Sequence, residues 1–307
     1  MFLLGSGAAA TAGWSALAQQ VLPKGGKDFS RLLDPACVLS SEQMEGPYYV
    51  DKRMVRRNIT EGKPGIPLRL RIQVMDSVKC KPVENAALDI WHCDALGIYS
   101  GYVKNSMEAG PGGPGGRGPG GPGFGGPPPP GFEGRMRFDG GRGPGPGGPG
   151  RGGPPKPHPS DDEMFLRGVQ LTNAAGVVEF ETIYPGWYIG RDIHIHLKVH
   201  TGGGVKEALY NGGHVSHIGQ LFFDEEITDA VAKMKPYENH QVRRTRHAED
   251  MVFQGQHGAE GLVQLAQVSR KSMADGFTAN VVLGVDPSAT PAPTEFGGPP
   301  PRGMERR

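Results

Sequence analysis

The densest chemistry in the sequence lies in TIYPGWYIGRDIHIH, residues 182–196. Two tyrosines, an arginine and two histidines crowd into it, and the histidines stand at i and i+2. Successive side chains of a strand point to opposite faces, so His194 and His196 share one face while Ile193, Ile195 and Leu197 fill the other. Two imidazoles on one strand face suit a metal ion, or they form the polar face of a half-exposed strand. Tyr188 precedes His194 by an even number of residues, which puts it on the same face if the strand runs unbroken through Gly190 and Arg191. Failing that, it is an aromatic packed at a sheet edge.

Short runs rich in β-branched and aromatic residues surround this stretch. GVVEFETIYPGWY, HIHLKVHT, GQLFFDEE and FTANVVLGVD are each bounded by Gly, Pro, Asn or Asp, as strands separated by turns are. LRLRIQV (68–74) and ALDIWH (87–92) read as two further strands, joined as a hairpin by a turn-rich link. Helical periodicity is weak, with residues 229–235 and 259–266 as modest candidates. The expected fold class is therefore all-β, a β-sandwich with few short helices.

Composition bounds the rest. A chain of 307 residues with 36% hydrophobic content makes one large domain or two small ones, and a net charge of +1 points to neither nucleic acid nor an anionic membrane as partner. Much of the excess of Gly (50) and Pro (29) falls in residues 109–159. A glycine every third residue persists only from Gly112 to Gly121 and breaks at Phe124, so this tract is no collagen helix. It reads as a disordered or polyproline-like loop insertion. Residues 19–285 then form one catalytic sandwich domain around it, and 286–307 a Pro/Gly-rich tail.

Residues 1–18 end in Ala16-Leu17-Ala18 after a short apolar, small-residue run, which is a secretory signal pattern too short to span a bilayer. No Lys or Arg precedes Lys24, so the segment reads as the interior of a twin-arginine signal cut short at its start, with export as the expectation; a packed or frayed helix is the other reading. Three cysteines allow one disulfide in such a compartment. Cys80 falls in the link between two strands and Cys93 at a strand end, so Cys37 with Cys80 is the expected pair. Cys93 is then a core thiol.

MEGPYYVD (44–51), PVENAALDIWHCDALGIYSGY (82–102), FLRGVQLTNAAGVVEFETIYPGWYIGRDIHIHLKV and GQLFF together resemble the intradiol ring-cleavage dioxygenases. That family includes the catechol, hydroxyquinol and protocatechuate 3,4-dioxygenases, and the likeness is strongest to an exported branch. It covers about residues 37–201 outside the insertion, together with the strand of Gln220.

The resemblance implies a non-haem Fe(III) held by Tyr99, Tyr188, His194 and His196. Phenolates are hard, electron-rich donors that suit ferric iron, and two neutral imidazoles complete the set. It implies that a catechol displaces Tyr188, which takes a substrate proton, and that O2 cleaves the ring between its hydroxyl-bearing carbons to give a muconate-type diacid. Arg191 would stabilise negative charge on the substrate, or else form an exposed salt bridge. Gln220 would orient a ligand and the oxygenated intermediate, although the segment before it is longer than in the catechol enzymes. Asp192 departs from the family's small or apolar residue and is expected to bind Arg191 or to lie outward.

Tyr48 and Tyr49 line the substrate mouth or are structural. His92 is expected as a satisfied core histidine, Trp91 and Trp187 as packing, and His214 and His217 as surface residues. The ends of the insertion should lie near the mouth, with Arg117, Arg135, Arg137, Arg142 and Arg151 as a basic fringe. Exposed strand edges favour a homodimer. A non-catalytic binding module on the same sandwich is the competing reading, and a surface protein working through its Gly/Pro tract is another. The sequence does not separate one catechol derivative from another as substrate.

Overall fold

The structure is a computed structural model that describes residues 38–104 and 157–291. The signal-like segment 1–18, Cys37, nearly all of the Gly/Pro tract with its five arginines, and most of the tail lie outside the described residues. In chain order the strands are β1 (Pro67–Asp76), β2 (Lys81–Pro82), β3 (Ala87–Trp91), β4 (Arg167–Leu171), β5 (Val177–Ile183), β6 (His194–Lys206), β7 (Leu209–Phe222), β8 (Gln264–Gln267) and β9 (Phe277–Val285). They form two sheets. In the first, β1 runs antiparallel to β5 and to the short β2, and parallel to β9, which carries β8 at its far edge. The second has the order β4-β3-β6-β7, antiparallel throughout.

Alternation explains why the sheets stack. Leu68, Leu70, Ile72 and Val74 of β1 are buried while Pro67, Arg69 and Arg71 are exposed, the period of a strand with one wet face. Those side chains join Phe180, Phe277 and Ala279 from their own sheet and Leu88, Ile90, Ile193, Ile195, Leu197, Val199 and Leu221 from the other in one apolar core. This is the all-β sandwich expected from the sequence.

The second sheet is buried on both faces: no residue of β3 is exposed, nor any of the first eight of β6. Its outer face carries polar groups in register, with Trp91 opposite His196, Asp89 opposite Lys198 and Gln220 opposite His196. A strap made of residues 42–59 covers them. Glu42 and Gln43 bind the β7 backbone at Ile218, Glu45 pairs with Lys198 at 3.1 Å, and the Tyr49 hydroxyl donates to Asp89 at 2.8 Å. Burying such groups is costly without partners, and the strap supplies them to Ile218, Lys198 and Asp89, while Trp91 Nε1 and His196 Nδ1 have none among the described residues.

The structure corrects the local reading at several places. β1 and β3 do not form a hairpin; they lie in different sheets and face each other across the core. Alternation shows which face of a strand is apolar, and two apolar faces can meet by stacking as well as by pairing. The helix expected at 229–235 begins earlier, at Glu225–Val231, because the Asp224 side chain caps it by accepting the Ile227 N–H. Residues 259–266 are no helix: a 3-10 turn at Gly258–Gly261 leads into β8, which pairs with β9. His217 is buried, its Nδ1 held 2.6 Å from Glu42, whereas His214 is exposed as expected.

Other expectations hold. His92 is fully buried and satisfied, with Nδ1 donating to the Cys93 carbonyl and Nε2 bonded to Thr182 Oγ1. Cys93 is a buried free thiol and Cys80 is disulfide-bonded; the expected partner of Cys80 falls outside the described residues. The flanks of the Gly/Pro tract are pinned side by side, since Asp161 Oδ2 accepts the Val103 N–H at 2.8 Å and the Tyr102 hydroxyl donates to the Pro157 carbonyl.

Candidate metal centre

Tyr99 sits in the turn after β3. Asp94 Oδ1 closes that turn by accepting the N–H groups of Leu96 and Ile98. Gly97 has φ +83°, and a Cβ there would lie 2.2 Å from the Trp187 carbonyl oxygen. Only glycine permits that approach, and through it the Tyr99 turn packs against the loop that carries Tyr188. Behind Tyr99, Arg167 donates from Nε to Ser100 Oγ (2.7 Å) and from Nη2 to the Ser100 carbonyl (2.6 Å), fixing the backbone of the next residue.

Tyr188 does not continue β6. It belongs to the irregular segment between β5 and β6, yet its hydroxyl oxygen lies 3.3 Å from His194 Nε2. Even spacing named the right contact by a route the backbone does not take, because a turn at Gly190 (φ +79°) folds the tyrosine back over the strand start. The Tyr99 hydroxyl lies 3.5 Å from the same nitrogen, and His196 Nε2 lies 3.0 Å from it. The first four residues named as ligands thus converge on one point.

His194 Nδ1 faces the Asp192 carbonyl at 2.6 Å. A carbonyl only accepts, so Nδ1 carries the proton and Nε2 presents a bare lone pair. That single lone pair has three polar neighbours. His196 is stacked on Trp91, with ring centroids 4.9 Å apart and planes 3° from parallel, and its Nδ1 has no hydrogen-bond partner among the described residues. Burial pushes both imidazoles below the usual histidine range, helped at His194 by the Arg191 charge and at His196 by His194. Burial likewise pushes the Tyr99 and Tyr188 phenols upward. Four neutral groups that all offer lone pairs to one centre are suited to a cation, and a bound cation reverses the phenol shift by stabilising the phenolate.

Arg191 is buried at 6% exposure, not a surface ion pair. Its Nη1 reaches the Tyr188 hydroxyl at 3.5 Å, its Nη2 donates to Gln220 Oε1 at 2.5 Å, and its Nε donates to Asp250 Oδ2 at 2.9 Å. Gln220 is held in turn by the strap, donating from Nε2 to the Met44 carbonyl at 2.8 Å. All six residues singled out from the sequence, Tyr99, Tyr188, Arg191, His194, His196 and Gln220, therefore share one site.

Asp192 neither binds Arg191 through its side chain nor lies outward. It is buried at 2% exposure and faces Arg244 Nη1 (3.4 Å) and His247 Nε2 (3.2 Å). Asp192, Glu225 and His247 form the one group of three or more Asp, Glu, His or Cys ligand atoms within 4.8 Å among the described residues. Arg244 and Arg246 lie within 4.0 Å of Glu225, so this group is an internal ion-pair network already supplied with positive charge. Sequence reasoning missed Asp250 and the close approach of Gly46 to His196. Both act from distant parts of the chain with no local pattern to mark them.

The fold and the site together define a β-sandwich protein with a buried two-tyrosine, two-histidine centre. A solved intradiol ring-cleavage dioxygenase from Tetranychus urticae is similar to this chain at 28% identity, covering 84% of it and 98% of its own length with a TM-score of 0.60. A second solved dioxygenase is 30% identical over 83% of this chain and 98% of its own, with a TM-score of 0.59. No protein-family model matches the chain, and no curated protein does. The chain belongs to the intradiol ring-cleavage dioxygenases and is an oxidoreductase of that class.

Proposed function

We propose that the protein is an Fe(III)-dependent dioxygenase that cleaves a catechol-type ring between its two hydroxyl-bearing carbons with O2, giving a muconate-type diacid. The observation that carries this reading is His194 Nε2, one lone pair within 3.5 Å of Tyr99, Tyr188 and His196. The donor set fits: two phenol oxygens and two imidazole nitrogens, with no thiolate, favour a hard trivalent ion over zinc. When bound, ferric iron would hold both oxygens of the substrate and make the adjoining ring carbon reactive toward O2.

The chain's own residues account for the rest. Tyr99 is 1% exposed and stacked under Tyr48, with ring centroids 4.6 Å apart, so it is the fixed phenol. Tyr188 is half-buried on an irregular loop, so it is the one that can swing away and accept a substrate proton. Arg191 Nη1 already points at its oxygen and can follow negative charge from the tyrosine to the substrate. Tyr48 stacks on Tyr99 and lies edge-on to Tyr188 with centroids 6.1 Å apart, so its ring packs against both phenols. The signal-like residues 1–18 support export as part of the same proposal.

The test is the purified protein itself. We expect about one iron per chain, the visible absorption of a ferric tyrosinate, and O2 consumption matched by diacid formation when catechol is added. A colourless protein that ignores ferric iron and retains only zinc overturns the reading.

A further inference from the structure

Asp250 is fully buried, and its carboxylate makes four hydrogen bonds. Oδ1 accepts the N–H groups of Val252 (2.7 Å) and Phe253 (2.9 Å), capping the short helix Met251–Gly255. Oδ2 accepts Arg191 Nε–H (2.9 Å) and the Asp192 N–H (2.6 Å). An ionised carboxylate offers about four acceptor positions, so nothing on it is left unused. One oxygen serves the helix, and the other faces the metal centre.

The Oδ2 side reaches the centre by two routes. It anchors Arg191 at Nε, and with Gln220 held on Nη2 the guanidinium plane is fixed at two of its three nitrogens, leaving Nη1 aimed at the Tyr188 hydroxyl. It also holds the amide of Asp192, the residue whose carbonyl sets the ring of His194. An isolated buried guanidinium would be drawn to solvent, and the carboxylate removes that tendency by supplying a buried opposite charge. We propose that Asp250 is a positioning residue of the ring-cleavage reaction, a buried carboxylate that clamps Arg191 and the Asp192 peptide so that the Arg191 fork faces the Tyr188 phenol. This rests on the function proposed above for Arg191.

Asparagine at 250 separates this role from helix capping. As an N-cap, Asn ranks with Asp, so Asp250→Asn keeps an oxygen for Val252 and Phe253. It places an NH2 donor opposite the Arg191 Nε–H and the Asp192 N–H, and both clamps are lost. Two measurements follow. In iron-free protein, the Nε–H NMR signal of Arg191, assigned by its disappearance in Arg191→Ala, should be protected from exchange in the parent and unprotected in Asp250→Asn. In iron-loaded protein, Asp250→Asn should retain its iron but lower kcat by roughly 10²-fold, the cost of misplacing one charge-stabilising donor.

In the Arg191→Ala background the same substitution should cost clearly less than in the parent, because the Arg191 route is gone and only the Asp192 peptide that sets His194 is still affected. An unaltered Nε–H signal, or a kcat loss equally large in both backgrounds, overturns the proposal and leaves Asp250 a helix cap. Should Asp250→Asn not fold, Asp250→Glu keeps the charge but shifts it by one methylene, and parental kcat in that variant also overturns the proposal. If the parent cleaves no catechol at all, the function proposed above falls, while the Nε–H signal still decides whether the clamp exists.

Discussion

The strap leaves no room for a side chain between Gly46 and His196, and replacing Gly46 with alanine puts two separable loads on the protein. The first is conformational. Gly46 has φ +75°, a left-handed conformation that costs an L-residue about 1–2 kcal/mol. The second is steric. A Cβ at 46 would lie 2.8 Å from His196 Cε1 and 3.3 Å from its Nε2, so the ring or the strap must yield about 0.6 Å to restore a 3.4 Å contact. The ring has little freedom to yield, stacked on Trp91 with its Nε2 held 3.0 Å from His194. A misplacement near 1 Å in catalytic geometry costs about 10²-fold in rate, so Gly46→Ala should lower kcat at least tenfold and weaken iron retention. Gly62→Ala is the control, because Gly62 also has φ +75° but nothing within 4 Å of its added Cβ. Thermal unfolding should fall by a few degrees in both variants. Iron content by elemental analysis and kcat by O2 uptake should fall in Gly46→Ala alone. Parental iron content and turnover in Gly46→Ala would refute the steric argument, and equal losses in both variants would assign the effect to backbone strain.

Two further substitutions separate the tyrosines. Tyr188→Phe should keep most of the iron but lose roughly 10² to 10⁴ in single-turnover rate, the usual worth of a positioned proton acceptor, whereas Tyr99→Phe should bleach most of the visible absorption and release iron; turnover of Tyr188→Phe at the parental rate would exclude it as the base. Stability should depend on pH through His92, which burial holds at about 4 in the folded protein against about 6.5 in the unfolded chain. Only the unfolded state then takes up the proton between those values, so stability is unaffected by His92 above about pH 6.5 and falls as pH drops toward 4, by up to roughly 1.4 kcal/mol per unit. Denaturant unfolding of the parent and of His92→Gln should show a shallower loss in the variant across that window, and identical slopes would exclude His92 as a source.

What the sequence disclosed and what it hid divide along the range of the interaction. The alternation that put His194 and His196 on one face and Ile193, Ile195 and Leu197 on the other is a property of five consecutive residues, and the structure preserves it. Which strand lies beside it is not local. The turn-rich link between β1 and β3 suggested a hairpin, and the strands instead stack across the core, because a short link and two apolar rows record only that both must be buried near each other. Gln220 shows the intermediate case. Its place opposite His196 depends on the β6–β7 register, set by a tight turn at Glu207 and Ala208 with φ 52° and 59° and then moved by one residue at an irregularity between Val199 and His200, so that His196 faces Gln220 and not Gly219.

The least legible groups are those whose partner lies on another layer. Asp250 meets Arg191 across 59 residues, and Gly46 meets His196 because the strap crosses the sheet at that point. In isolation one reads as a helix cap and the other as a turn glycine, and both are that as well. Their second role follows from burial: once the outer face of the second sheet carries imidazoles, a lysine and a glutamine in place of an apolar row, whatever covers it must bring polar partners as well as apolar cover. A polar face on a fully buried strand therefore implies a strap that is part of the site. In this chain the strap includes the GPYY segment, and it passes His196 at the one strap residue without a side chain, where a Cβ would lie 2.8 Å from the ring.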